Sequence, residues 1–325
     1  MDKTTSRRGF VKQTLGLSAM AALGAGRASA QADADMAALA QITLPEEDMA
    51  QGKIAGMPVS RLLLGGNLLT HYTHSRDLQY VYNLAAHYNT QEKILDTLDL
   101  ALKNGVNTVV IHTVPALTEI RRSHRARGGN IQWIICPTAA PDTQWDTYVQ
   151  QVEGLAEDGV QSIYLWGVTG DRLVAEGKLD VLEKAVELVK DMGLPSGVGG
   201  HDLRVIEECE RLQIPADFYI KTFHHHQYPT GPKQEELTEI YREIPGYWCQ
   251  EPQKTIEVMA AVEKPWIAFK VMAAGAIPPR DAFHYSFEHG ADHVLAGMFD
   301  FEIEEDAAIT RQVLDGLERS RPWRS

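Results

Sequence analysis

Eight short apolar runs alternate with stretches of helical period, and this predicts an α/β fold: a (β/α)8 TIM barrel with long loops after strands 1 and 6. Three observations carry the prediction. The apolar runs have strand length, the stretches between them place apolar residues three and four apart, and several helical stretches end in a glycine turn.

Taken in order, residues 1–30 read as a leader. Ser6-Arg7-Arg8-Gly9-Phe10-Val11-Lys12 matches the twin-arginine consensus, a weakly apolar stretch runs from Leu15 to Ala25, and Ala28-Ser29-Ala30 forms a small-residue cleavage site before Gln31. The apolar part is too short and too rich in Gly and Ala to span a bilayer, so it predicts a twin-arginine signal peptide. The folded chain is then expected in the periplasm or outside the cell, with the translocase as a transient partner and no stable membrane insertion. Residues 31–57 are polar and Ala-rich, and read as a linker or a short N-terminal helix. Residues 58–325 are expected to form a single barrel domain.

The predicted strands are 62–66, 107–112, 131–136, 161–166, 196–200, 217–222, 266–271 and 293–298. Amphipathic stretches over 90–103, 143–157, 178–192, 202–212, 255–262 and 280–289 read as helices. Lys103-Asn104-Gly105, Glu157-Asp158-Gly159 and Glu288-His289-Gly290 stop three of them. An open doubly wound sheet is the structural rival, but no Gly-x-Gly-x-x-Gly turn follows an early strand. Two connections exceed what a barrel needs, 67–88 after strand 1 and 223–252 after strand 6. Both belong to the C-terminal face, where barrel sites are built.

The formal net charge is −13, and the leader is basic, so the mature chain is more acidic still. Such a surface repels phosphate backbones and argues against nucleic acid as a partner. Three cysteines make no disulfide framework.

Residues at the C-terminal ends of barrel strands converge on one axial pocket. Reading those ends gives Asn67, His112, Cys136, His201, Lys221, His224, Lys270 and Asp300. His112, His224, Lys221 and Lys270 are the candidate catalytic groups. Asn67, His71, Trp248 and Asp300 are candidates for substrate binding. His224 and His226 alternate in the run His224-His225-His226, and with His112 and His201 they could supply imidazoles to zinc or a similar divalent metal. The alternative is hydrogen bonding of substrate by neutral histidines.

From strand 2 onward the chain resembles the aldo/keto reductase superfamily. Gly105-Val106-Asn107 through His112-Thr113 resembles that family's second strand, Gly197–His201 its fifth, and Lys270–Gly275 with Gly290–Met298 its seventh and eighth. The resemblance implies a barrel binding NADP, yet His112 stands in place of the family's catalytic aspartate. Val114-Pro115-Ala116 stands where its tyrosine is expected, and Cys136-Pro137-Thr138 replaces its lysine. Glu302-Ile303-Glu304-Glu305-Asp306 follows strand 8, where the family holds the cofactor's 2′-phosphate. The leader with the Trp266–Lys270 and Gly297–Asp300 blocks also resembles a group of twin-arginine-exported secreted proteins.

These readings favour an exported enzyme acting on a small carbohydrate or polyhydroxy carbonyl compound by histidine-based, metal-assisted or metal-free acid/base chemistry, as an isomerase, lyase or hydrolase. A reductase exported with bound nicotinamide and a non-catalytic ligand-binding barrel are the alternatives.

Overall fold

The computed structural model describes residues 49–75, 78–237 and 249–325. The leader and most of the segment to residue 57 lie outside the described residues.

The described chain opens with a hairpin of β1 (Gln51–Ile54) and β2 (Met57–Ser60). This corrects the linker-or-helix expectation for residues 51–57. Ala55 and Gly56 both take positive φ, 47° and 86°, as a tight two-residue hairpin turn requires. Ile54 and Val59 are fully buried and pack on the inward residues of the barrel, so the hairpin is held by a strand-period pattern.

The barrel strands are β3 (Leu62–Gly65), β4 (Thr108–His112), β5 (Gln132–Cys136), β6 (Ser162–Leu165), β7 (Ser196–Gly200), β8 (Phe218–Thr222), β9 (Trp266–Phe269) and β10 (His293–Ala296). Each pairs in parallel with the next, and β10 returns to β3 with Val294 opposite Leu62. The barrel is closed, which excludes the open sheet. Side chains alternate across the wall. Leu63, Val110, Ile134, Phe218, Ile220 and Ile267 fill the interior, while Leu64, Val109, Ile111, Tyr219 and Trp266 pack outward in the larger core cluster.

The connecting helices are α1 (Tyr80–Tyr88), α2 (Gln91–Lys103), α3 (Leu117–Ala126), α4 (Trp145–Glu157), α5 (Gly167–Ala175), α6 (Leu179–Asp191), α7 (Arg204–Arg211), α8 (Pro252–Ala261), α9 (Pro279–Glu288) and α10 (Asp300–Asp315). Gly105, Gly159 and Gly290 take the left-handed φ that ends α2, α4 and α9. The stretch read as a loop up to residue 88 contains α1. The connection after β8 runs to Pro252 with a 3-10 turn at Gln234–Glu236, and residues 238–248 lie outside the described residues. Among the described residues no helix is long and apolar enough to cross a membrane.

The C-terminal tail pins the N-terminal ends of β9 and β10. Wholly buried Asp292 accepts from Arg321 Nη1 at 2.7 Å, from the Arg324 amide at 2.8 Å and from the Trp266 amide at 3.0 Å. The opposite face is left to the loops.

Candidate active site

Those loops enclose a cavity of about 940 Å³ over the C-terminal ends of the strands. Its wall carries Asn67, His112, His201 and Lys270 from the expected set, together with Tyr72, His74, Tyr164, Trp166 and Glu302.

His201 follows β7 and is 7% exposed. Its Nδ1 lies 2.7 Å from Asp171 Oδ2, and Asp171 Oδ1 accepts from the His201 amide at 2.7 Å and the Asp202 amide at 2.9 Å. A carboxylate is acceptor-only, so Nδ1 carries the proton and Nε2 the lone pair. Asp171 is itself buried on the inner face of α5. That helix approaches closely because Gly167 and Gly170 face β7. A side chain at Gly170 would collide with the carbonyl oxygen of Gly199. Burial lowers the pKa of His201, Asp171 opposes the shift, and Lys270 and Lys221 reinforce it.

The other two cavity imidazoles arrive from different directions. His112 ends β4 and stacks on Trp166, with ring centroids 6.1 Å apart and an interplanar angle of 15°. His74 comes from the loop after β3, and Tyr72 stands edge-on to both, 5.2 Å from His74 and 5.8 Å from His112. Burial, reinforced by Lys270, His201 and His112, holds His74 down to about 2, and burial alone lowers His112. The cavity therefore presents three imidazoles that stay neutral below their ordinary range.

Lys270 follows β9 at φ 57°, and Ala273, Ala274 and Gly275 in the same turn take φ of 47°, 55° and 79°. Left-handed backbone at non-glycine residues costs about 1 kcal/mol each. Strain of this kind concentrates at functional rims.

Several expected site residues lie elsewhere. Lys221 alternates outward from β8, is 1% exposed, and donates to the Thr222 carbonyl and Oγ1 at 2.9 Å each, so it does not line the cavity. Thr222 Oγ1 in turn donates to the His201 carbonyl at 3.2 Å. His224 is buried with Nδ1 2.9 Å from the His225 carbonyl oxygen, and its Nε2 accepts from the Cys249 amide at 3.1 Å. His226 Nε2 donates to the Cys249 carbonyl at 2.6 Å. The run anchors its own connection to Cys249. His71 is likewise tied to the Asn89 carbonyl, 2.8 Å from Nε2. Asp300 joins Tyr88 and Lys93 outside the cavity wall. Trp248 lies outside the described residues.

The four-histidine metal set is therefore corrected. Among the described residues no three His, Cys, Asp or Glu side chains could share a metal ion, and the lone pair of His224 Nε2 is spent on a backbone amide. The first turn of α10 carries Asp300 and Glu302. Glu302 Oε2 already accepts from the Phe299 amide at 2.8 Å, and burial raises its pKa. Behind it, burial beside Glu302 and Glu305 pushes the Asp306 carboxyl up to about 7. Cys136, at the end of β5, is buried in the barrel interior and does not line the cavity; burial pushes its thiol up to about 12, which keeps it protonated.

Sequence reasoning missed Asp171 and His74. Asp171 had a signal: with Gly167, Gly170 and Val174 it forms a stripe at helical spacing, the kind of face a helix turns inward, where a carboxylate needs a partner. His74 had none beyond its place in a long loop.

The barrel is similar to solved aldo/keto reductase structures. One from Pseudomonas aeruginosa superposes with a TM-score of 0.53 at 18% identity, covering 84% of this chain and 97% of that one. A Gox0644 variant in complex with NADPH gives 0.54 at 11% identity, covering 84% and 91%. At these identities the likeness is one of fold. Neither a protein-family model nor a curated protein matches the sequence.

Proposed function

We propose that the chain is an exported enzyme that moves a proton on a small carbohydrate or other polyhydroxy carbonyl compound, as an isomerase or lyase. The observation that carries this reading is the buried His201–Asp171 pair at the wall of a cavity that also holds Lys270, His112 and His74.

His201 Nε2 accepts the proton from the carbon next to the carbonyl. Asp171 holds the ring in the tautomer that leaves this lone pair and stabilises the imidazolium that forms. The Lys270 ammonium meets the negative charge gathering on the carbonyl oxygen. Returning the proton to the neighbouring carbon, while a hydroxyl proton passes through His112 or His74 from that carbon's oxygen to the original carbonyl oxygen, completes an isomerisation. In an elimination the C–O bond to the next carbon breaks instead, and its oxygen leaves with the bonding pair and the proton from His201. His112 and His74, both neutral, orient hydroxyl groups or relay the proton. No metal or nicotinamide enters these steps. The match of residues 6–12 to the twin-arginine consensus supports the exported part of this reading.

The test is solvent exchange. Wild-type protein incubated in D₂O with a panel of aldoses, ketoses and sugar acids is followed by proton NMR. Loss of the signal from a carbon next to a carbonyl is expected for at least one compound, and it should fall about 10²- to 10⁴-fold in His201→Ala. Exchange that is equal in both proteins, or absent across the panel, would refute the mechanism.

A further inference from the structure

Phe299 belongs to two places at once. It lines the cavity, and its ring lies 5.3 Å from that of Phe301 at an interplanar angle of 9°. Tyr88 stands edge-on to both rings, at 5.6 and 6.2 Å. Phe301 is nevertheless 67% exposed, and nearby on α1 Leu84 is 60% exposed. Exposed single apolar side chains are ordinary. These three rings instead form one preassembled cluster continuous with the cavity wall.

Polar atoms are fixed beside it. Tyr88 Oη donates to Asp300 Oδ1 at 2.7 Å, and Lys93 Nζ donates to Oδ2 at 2.9 Å. A carboxylate accepts more than two hydrogen bonds, so Asp300 retains acceptor capacity beside an exposed aromatic face. An aromatic face next to a pinned carboxylate suits a pyranose ring, whose C–H face is apolar and whose rim carries hydroxyl donors.

We propose that Tyr88, Phe299, Phe301 and Asp300 form an outer sugar subsite, so that the substrate is a reducing oligosaccharide with its carbonyl end in the cavity and a second ring reaching out of it. This rests on the carbohydrate reading above. Preassembly matters, because a platform ordered before binding loses little entropy when the ring docks.

The experiment compares the reducing monosaccharides glucose, galactose, mannose and N-acetylglucosamine with their β-1,4-linked disaccharides, by titration calorimetry and saturation-transfer NMR. In wild type, at least one disaccharide should bind about fivefold or more tightly than its monosaccharide, with saturation transferred to C–H protons of the outer ring. Phe301→Ala should abolish that gain without changing monosaccharide affinity, and Phe301→Trp should retain it. Position 301 is exposed, and thermal melting verifies that the variants fold. A gain that persists in Phe301→Ala, or no gain in wild type while monosaccharides bind, overturns the subsite alone. A benzyl glycoside gaining more than every disaccharide overturns the second-sugar assignment. Absence of binding by every sugar overturns the carbohydrate reading and the subsite with it.

Discussion

The molecule holds two trios of histidines, and they do opposite things. His224, His225 and His226 are consecutive in the chain, and the ring nitrogens of His224 and His226 bind the backbone of His225 and Cys249. His74, His112 and His201 are separated by dozens of residues, yet line one cavity, where His201 and His112 raise the cost of protonating His74. Adjacency along a chain turns side chains to opposite sides and leaves them close to their own backbone. Closure of a barrel gathers residues from distant strand ends. Convergence, rather than a dense motif, makes the candidate site.

The largest effect expected from this contrast is on catalysis at the convergent trio. Asp171→Asn keeps the size of the side chain but removes the charge that fixes the His201 tautomer. Turnover of the exchanging sugar should fall about 10²- to 10⁴-fold with the fold intact by circular dichroism. A loss of less than about threefold would make the pair a packing feature, since a general base supplies at least about 10²-fold.

The consecutive trio should respond in the other currency. His224→Ala leaves the Cys249 amide without its acceptor inside a filled space, and should destabilise the protein by about 2–4 kcal/mol in urea unfolding. Activity per folded molecule should stay within about threefold of wild type, because the site does not use this ring. If activity collapsed while stability held, the two trios would have to exchange roles.

The fold was legible in the sequence for the same reason that half of the site was. Strand and helix periods are local, so all eight barrel strands were located to within two residues at either end, from 62–66 against Leu62–Gly65 to 266–271 against Trp266–Phe269. Strand ends are therefore readable, and His112, His201, Asn67 and Lys270 were found as cavity residues. Where a side chain goes near the end of a strand is harder to read. Lys221 alternates outward and folds back on Thr222, while Lys270 leaves its strand through a left-handed residue into the cavity. The period also missed the β1–β2 hairpin, where a strand pattern of only four residues on each side of Ala55-Gly56 looks like a linker.

Acid tests the burial of the convergent trio. Its three pKa values lie below the ordinary value of 6.5, so the unfolded chain binds more protons than the folded one as the pH falls below 6.5. Stability should be full above 6.5 and decline as the pH drops toward the folded values, about 2 for His74 and about 4 for buried His293. Each such group contributes up to about 1.4 kcal/mol per pH unit. Urea unfolding at pH 7, 6 and 5 should show this slope, and His74→Asn should flatten it by one group. The acid limb of turnover should correspondingly fall below 6.5, because the base is the neutral form of His201. A limb centred at 6.5 would mean that His201 is in contact with bulk water.

The smallest effect concerns the rim that carries Lys270. Ala274 has φ 55°, where glycine is tolerated and alanine is strained. Ala274→Gly removes that strain but adds freedom to the unfolded chain, so the two terms nearly cancel, leaving a gain of about 0.5 kcal/mol. The same freedom is gained by the folded rim. Amide exchange over 271–277 should quicken, and turnover should fall, by less than about tenfold, because Lys270 is held less firmly over the cavity. The consecutive trio has no such rim to loosen. A variant that gained stability with turnover unchanged would show that the left-handed turn merely closes the loop, and that Lys270 is placed by β9 itself.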